Sequence, residues 1–167
     1  KEDFIYQYYT HNQSILIDKK GRVYNRWSSG RRRNEAIDIE TGNQLWRTGK
    51  YKVRETIGLS EDGEKLFIRT MNDTILTLPI SEKLEEPIWI TNCNFGYDIS
   101  SSQIVEKDGV IFYPTKNGMI YSLDSETGKI LWQHKSTNGL INTITPLTND
   151  KFITTDFDGR VNYFLIN

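Results

Sequence analysis

Short runs of alternating apolar and polar residues recur along the chain, each bounded by Gly, Asp or Asn. Such runs, with turn residues between them, predict β-strands joined by hairpins. The clearest set spans residues 55–91. Residues 56–60 predict a first strand, A, and residues 65–70 a second, B. Residues 74–78 predict strand C, and residues 87–90 strand D. Turns fall at Glu61-Asp62-Gly63 and at Met71-Asn72-Asp73, and a polar link from Ser81 to Glu86 precedes D. Asp-Gly at such a turn supplies the positive φ that tight hairpins need. No stretch keeps a helical period over the ten or so residues that a helix requires.

The same plan repeats on both sides. Residues 13–48 hold A at 15–17, B at 22–27, a polar loop at 28–33, C at 35–39 and D at 43–47. Residues 101–135 hold A at 102–105, B at 110–113, C at 119–123 and D at 129–133. The last unit, 141–167, supplies A at 143–145, B at 151–155 and C at 160–165, with no D.

Tryptophans set the register. Trp46, Trp89 and Trp132 stand 43 residues apart. In this register Asp3 corresponds to Trp46, so residues 1–9 read as one more strand D, with Phe4, Tyr6 and Tyr8 alternating. An isolated D, three complete units and one unit lacking D amount to four blade equivalents. A period of this size with four hairpin-linked strands predicts an all-β propeller built of antiparallel blades.

Two windows repeat more than the tryptophan. Residues 36–46 read Ala-Ile-Asp-Ile-Glu-Thr-Gly-Asn-Gln-Leu-Trp, and residues 122–132 read Ser-Leu-Asp-Ser-Glu-Thr-Gly-Lys-Ile-Leu-Trp. The pattern resembles the tryptophan-docking motif of the PQQ-like repeat, the blade of quinoprotein alcohol-dehydrogenase-like propellers. The resemblance implies that Asp38, Thr41 and Gly42, with Asp124, Thr127 and Gly128, shape the turns between strands C and D. It implies that Trp46, Trp89 and Trp132 pack on the corresponding turn of a neighbouring blade. A tryptophan at every blade reads as packing rather than as a ligand platform. The middle unit departs from the motif: residues 79–89 keep Trp89 and lose both Asp and Thr-Gly. The resemblance also implies a bacterial, extracytoplasmic setting in the periplasm or at the cell surface. Family rings usually have seven or eight blades, so four equivalents amount to half of an eight-bladed ring.

Composition narrows the function. Lys plus Arg number 21 against 22 for Asp plus Glu, a net charge of −1 that gives no electrostatic footprint for nucleic acid. The single cysteine, Cys93, excludes an intrachain disulfide, and with only His11 and His134 beside it no zinc-type ligand set assembles. No run approaches the roughly 20 apolar residues that cross a bilayer. The chain begins at Lys1 inside a strand pattern and reads as a piece of a longer protein, with targeting information upstream.

Chemistry-bearing motifs are scarce. The quinoprotein enzymes place a quinone, a calcium ion and a catalytic Asp on the propeller axis, often with a disulfide of adjacent cysteines. That disulfide is impossible here, and no Asp matches such a role. Asp156-Phe157-Asp158-Gly159 opens like a calcium loop, but the remaining ligand positions do not follow, and a B–C hairpin explains it. Asn12-Gln13-Ser14 and Asn72-Asp73-Thr74 match glycosylation acceptors, relevant only in a eukaryotic secretory pathway. The one local charge feature is Arg31-Arg32-Arg33, with Arg26 and Trp27 nearby, in the B–C loop of the first blade. It is a candidate partner-binding loop, although such runs are usually solvated.

These observations point to a scaffold that binds a protein partner, without catalytic residues or a cofactor of its own. Two alternatives stand beside it. One is half of a quinone-dependent dehydrogenase. The other is an oligomerising sensor or assembly module, in which two copies complete an eight-bladed ring, each N-terminal strand D filling the other's last blade.

Overall fold

The computed structural model describes residues 15–27, 33–71, 74–94, 96 and 102–166. These residues form fifteen strands and no helix, in four antiparallel sheets that follow chain order. The first sheet holds β1 (Leu16–Ile17), β2 (Arg22–Trp27), β3 (Arg33–Asp38) and β4 (Gln44–Arg47). The second holds β5 (Val53–Leu59), β6 (Lys65–Thr70), β7 (Thr74–Pro79) and β8 (Trp89–Asn92). The third holds β9 (Val105–Lys107), β10 (Val110–Pro114), β11 (Met119–Asp124) and β12 (Ile130–Lys135). The fourth holds β13 (Ile141–Pro146), β14 (Lys151–Asp156) and β15 (Val161–Leu165). This is the blade plan of a β-propeller, with about four blades. The strand assigned to residues 1–9 lies outside the described residues.

The blades stack through three apolar layers, one between each adjacent pair. Tyr24, Ala36 and Trp46 of the first sheet meet Ile57, Leu66, Ile68 and Leu76 of the second. Phe67, Ile75 and Trp89 of the second meet Ile111, Tyr113 and Leu123 of the third. Phe112 and Ile120 of the third meet Ile141, Ile144 and Phe152 of the fourth. Full burial of one such side chain contributes about 1.5–3 kcal/mol. The second sheet packs on both faces, so residues 66–70 are all buried and lose the polar alternation of a half-exposed strand. One of them is Arg69, whose guanidinium lies 4.1 Å from the Tyr113 ring centre and donates to the Pro114 carbonyl at 3.0 Å. The fourth sheet differs. Its strand β15 alternates, with Phe164 and Ile166 against the third sheet and Val161, Tyr163 and Leu165 exposed.

Several strand bounds depart from the sequence reading, β5 for instance starting at Val53 rather than at residue 56, and two departures have a local cause. Strand A of the third blade was expected at residues 102–105, but pairing begins only at Val105. The segment before it serves neighbouring blades instead. Ser102 donates its hydroxyl to the Ile141 carbonyl, and the Ile104 carbonyl lies where a Cβ on Gly58 would be only 2.4 Å away. Strand D of the second blade was expected from Pro87, but β8 starts at Trp89, since Pro87 has no N–H to give the ladder.

Candidate functional site

The repeated windows fold into matching turns between strands C and D. In the first blade, Asp38 Oδ1 accepts from the Thr41 amide and hydroxyl, both at 2.7 Å. In the third, Asp124 Oδ1 accepts from the Thr127 amide at 2.8 Å and hydroxyl at 2.7 Å. In both turns the glycine amide donates back to the Asp carbonyl, Gly42 at 2.8 Å and Gly128 at 2.9 Å. Both glycines sit at positive φ, 73° and 69°. The threonine hydroxyl bonds, followed by the amide bonds, hold both carboxyls below the usual range. The aspartates are therefore turn-formers held in the charged state.

The tryptophans reach across to the next blade. Trp89 Nε1 donates to the Ser125 carbonyl at 3.0 Å, and its ring covers Gly128. A Cβ on Gly128 would lie 2.4 Å from Trp89 Cε3 and 2.6 Å from Thr91 Oγ1. Thr91 also donates its hydroxyl to the Gly128 carbonyl at 2.6 Å. Trp46 does the same work without the motif: its Nε1 donates to the Ser81 carbonyl at 2.9 Å, in the long connection between β7 and β8. The degenerate middle blade therefore keeps the acceptor and loses only the side chains. Trp132 is half-buried; it stacks on Phe152 with ring centres 5.7 Å apart and donates its Nε1 to no described residue.

The acceptors Ser81 and Ser125, and Thr91, were absent from the sequence reading. The one available signal was spacing, since the two serines lie 44 residues apart. Main-chain acceptors leave no trace in residue type.

The C–D turns share one end of the blades with the A–B turns, where charged pairs join neighbours. Lys107 pairs with Glu61, and Lys65 with Glu126. Lys19 donates to the Asp62 carbonyl at 2.7 Å, and the Glu61 amide to Glu106 Oε2 at 2.8 Å. A buried cluster closes the A–B turn of the first blade, where Asp18 Oδ2 accepts from Arg22 Nε at 2.6 Å and from the Tyr24 hydroxyl at 2.8 Å. Burial raises the Asp18 carboxyl, but these bonds and those from the Arg22 and Lys20 amides outweigh it and the net direction is down.

The arginine-rich segment divides. Arg26 and Trp27 belong to β2 and Arg33 opens β3, so they extend the hairpin rather than the loop, with Trp27 opposite Arg33. Arg31 and Arg32 lie outside the described residues. Cys93 is buried and its thiol is pushed up to about 12, which removes the nucleophilic thiolate at neutral pH.

The family model described as outer membrane protein assembly factor BamB matches residues 31–162. The chain belongs to this family of PQQ-like repeat β-propellers. A curated relative, the lanthanide-dependent methanol dehydrogenase of Methylacidiphilum fumariolicum (strain SolV), is 41% identical over 56 residues, which are 33% of this chain and 9% of that protein. Among solved structures, BamB from Moraxella catarrhalis superposes with a TM-score of 0.72 at 14% identity, over 92% of this chain and 45% of that one. The computationally designed Ika4 protein gives 0.72 at 16% identity, over 94% of both chains. The chain thus spans less than half of the BamB structure and a small part of the dehydrogenase. The PQQ-like repeat raises the question of a quinone and a calcium ion. Among the described residues no three His, Cys, Asp or Glu side chains converge as metal ligands. Among them, too, no helix is long and apolar enough to cross a membrane.

Proposed function

We propose that this chain is a non-catalytic interaction scaffold, part of a larger bacterial protein of the periplasm or cell surface. One observation carries the reading: the residues that make the repeat recognisable are spent on architecture. Asp38 and Asp124 hold turns, Gly128 receives a ring, and Trp46 and Trp89 tie blades together. Recognition then falls to loops and exposed faces. The leading surface is the B–C hairpin of the first blade, with Arg26, Trp27, Arg31, Arg32 and Arg33, and its partner is a protein with an acidic patch. Membership of a family described as an outer membrane assembly factor supports the compartment.

The test is capture from native envelope lysate by the chain and by a variant with Arg31, Arg32 and Arg33 changed to Ala. A partner retained by the chain and lost by the variant supports the reading; equal capture overturns the assignment of the loop. Quinone and calcium added together test the dehydrogenase alternative. A rise in melting temperature overturns the non-catalytic reading, since a bound cofactor stabilises the native state.

A second reading rests on the two end sheets. The fourth sheet exposes Val161, Tyr163 and Leu165, and the first exposes Ile15, Ile17 and Ile39. Packed together, these faces make a fourth kind of inter-blade layer, and two copies head to tail form an eight-bladed ring. Light scattering that finds a folded monomer at micromolar concentration overturns it.

A further inference from the structure

We propose that the groove between the second and third blades, at the end where the A–B and C–D turns meet, takes the arginine or lysine side chains of a basic peptide segment. It lies at the end of the blades opposite the arginine hairpin, so it stands or falls apart from that surface. Three observations carry it.

The first is a concentration of charge. The groove has a volume of about 590 Å³ and is lined by six carboxylates, Glu61 and Asp62 of the second blade and Glu106, Asp108, Asp124 and Glu126 of the third. No lysine or arginine lines it. Lys107 pairs with Glu61 and Lys65 with Glu126, which leaves acid in excess within a chain of net charge −1. The repeat does not require this. The A–B turn of the first blade has Lys19 and Lys20 before its glycine, where the second has Glu61 and Asp62.

The second is unused acceptor capacity. Asp62 Oδ1 accepts from the Ser60 hydroxyl at 2.6 Å and the Glu64 amide at 2.9 Å. Asp124 Oδ1 holds the Thr127 turn, and Glu106 Oε2 accepts from the Glu61 amide. In each of these three the other oxygen has no partner among the described residues, so the carboxylate is oriented by one atom and open at the other. Bonds chiefly from Lys107, Ser60 and Thr127 hold the Glu61, Asp62 and Asp124 carboxyls below their ordinary values, so the groove is anionic at neutral pH.

The third is a buried hydroxyl. Ser125 lines the groove and is only 1% exposed. Its amide donates to the Gly109 carbonyl and its carbonyl accepts from Trp89, both at 3.0 Å. The hydroxyl, without a partner among the described residues, is the polar group that Ser125 has left to offer. Such a group gains when a ligand bonds it. The corresponding residue of the first blade is Ile39, so the repeat does not demand a hydroxyl here.

No three of these side chains converge on one point as metal ligands. The open oxygens sit on separate turns, which calls for several cationic groups on one backbone. A guanidinium presents a planar fork of donors that matches such carboxylates.

The test is titration of the full chain with a capped tetra-arginine peptide at about 0.15 M salt, where distant charges are screened. Glu106→Gln with Asp108→Asn keeps the acceptor oxygens and removes two charges; it is expected to weaken binding about 10-fold or more, the effect of lost charge-assisted bonds. Ser125→Ala is expected to weaken it about 5-fold, near the value of one hydrogen bond. Glu40→Gln with Glu82→Gln removes the same charge from exposed residues outside the groove and should leave affinity within about 2-fold. Absence of binding, equal losses in the two double variants, or full affinity in Ser125→Ala overturns the site. Spermidine or calcium that binds more tightly than the peptide overturns the peptide as its occupant.

Discussion

The stations at Trp89 and Trp132 carry the same residue in the same register, and the described residues include the main-chain acceptor of only one of them. At Trp89 the indole has a carbonyl, a glycine face and a neighbouring threonine hydroxyl. At Trp132 it has stacked rings and an open groove. The comparison separates the ring's packing, present at both stations, from the main-chain acceptor that the next blade's C–D turn brings to Trp89. The joint is made by the segment that arrives from the next blade, and the tryptophan is its receiver.

The most direct way to break this comparison is truncation of both receivers. Trp89→Ala is expected to cost about 3–5 kcal/mol, the range for deleting a large buried aromatic. Trp132→Ala in the monomer should cost less than half of that, because its groove is already open to water. Urea unfolding of both variants measures the gap; equal losses would mean that the station at Trp132 is closed.

Two glycines sharpen the contrast. Gly128 and Gly159 both have positive φ, 69° and 80°, so alanine pays a conformational cost of roughly 1–2 kcal/mol at each. At Gly128 the new methyl also meets the Trp89 ring and Thr91, whereas at Gly159 nothing lies within 4 Å. Overpacking adds about 1–3 kcal/mol, so Gly128→Ala should melt well below Gly159→Ala. Indistinguishable melting temperatures would remove the ring contact from the account of that turn.

The smallest effect is on pH. The carboxyls of Asp18, Asp38, Asp62 and Asp124 are all held below their ordinary values, three of them chiefly by hydrogen bonds and Asp18 by bonds that outweigh burial. A carboxyl depressed in the folded state stabilises the fold above its unfolded pKa, about 3.9 for Asp, and that contribution is lost as pH falls through the folded value. Melting temperature should therefore hold down to about pH 5 and fall below pH 4. Asp124→Asn should flatten part of the decline.

Much of this architecture was legible because its signals are periodic. Trp46, Trp89 and Trp132 recur at one interval, and Asp-Gly and Thr-Gly mark turns that require positive φ. At the start of the third blade, where the sequence reading slipped, contacts between blades had replaced a local preference. Residues 102–104 look like a strand, yet Ser102 bonds the fourth blade and Ile104 presses on Gly58 of the second. The acceptors at Ser81 and Ser125 were illegible for another reason: a carbonyl belongs to every residue. The arginine segment showed its charge in the sequence but not its pairing, which places Arg26 and Arg33 on facing strands.

The main-chain acceptor has a consequence for how such an array came to be. A receiver that grips backbone can accept a connection of different residues, provided that its carbonyl passes within reach and the ring has room. The connection between β7 and β8 has abandoned the turn motif and still docks. A gene segment encoding one blade can thus be duplicated next to itself and join the ring at once, before any mutation has fitted it to its new neighbour. Tandem growth needs the tryptophan copied intact and a carbonyl brought within its reach, while the Asp and Thr-Gly of the turn can be lost, as in the connection that carries Ser81.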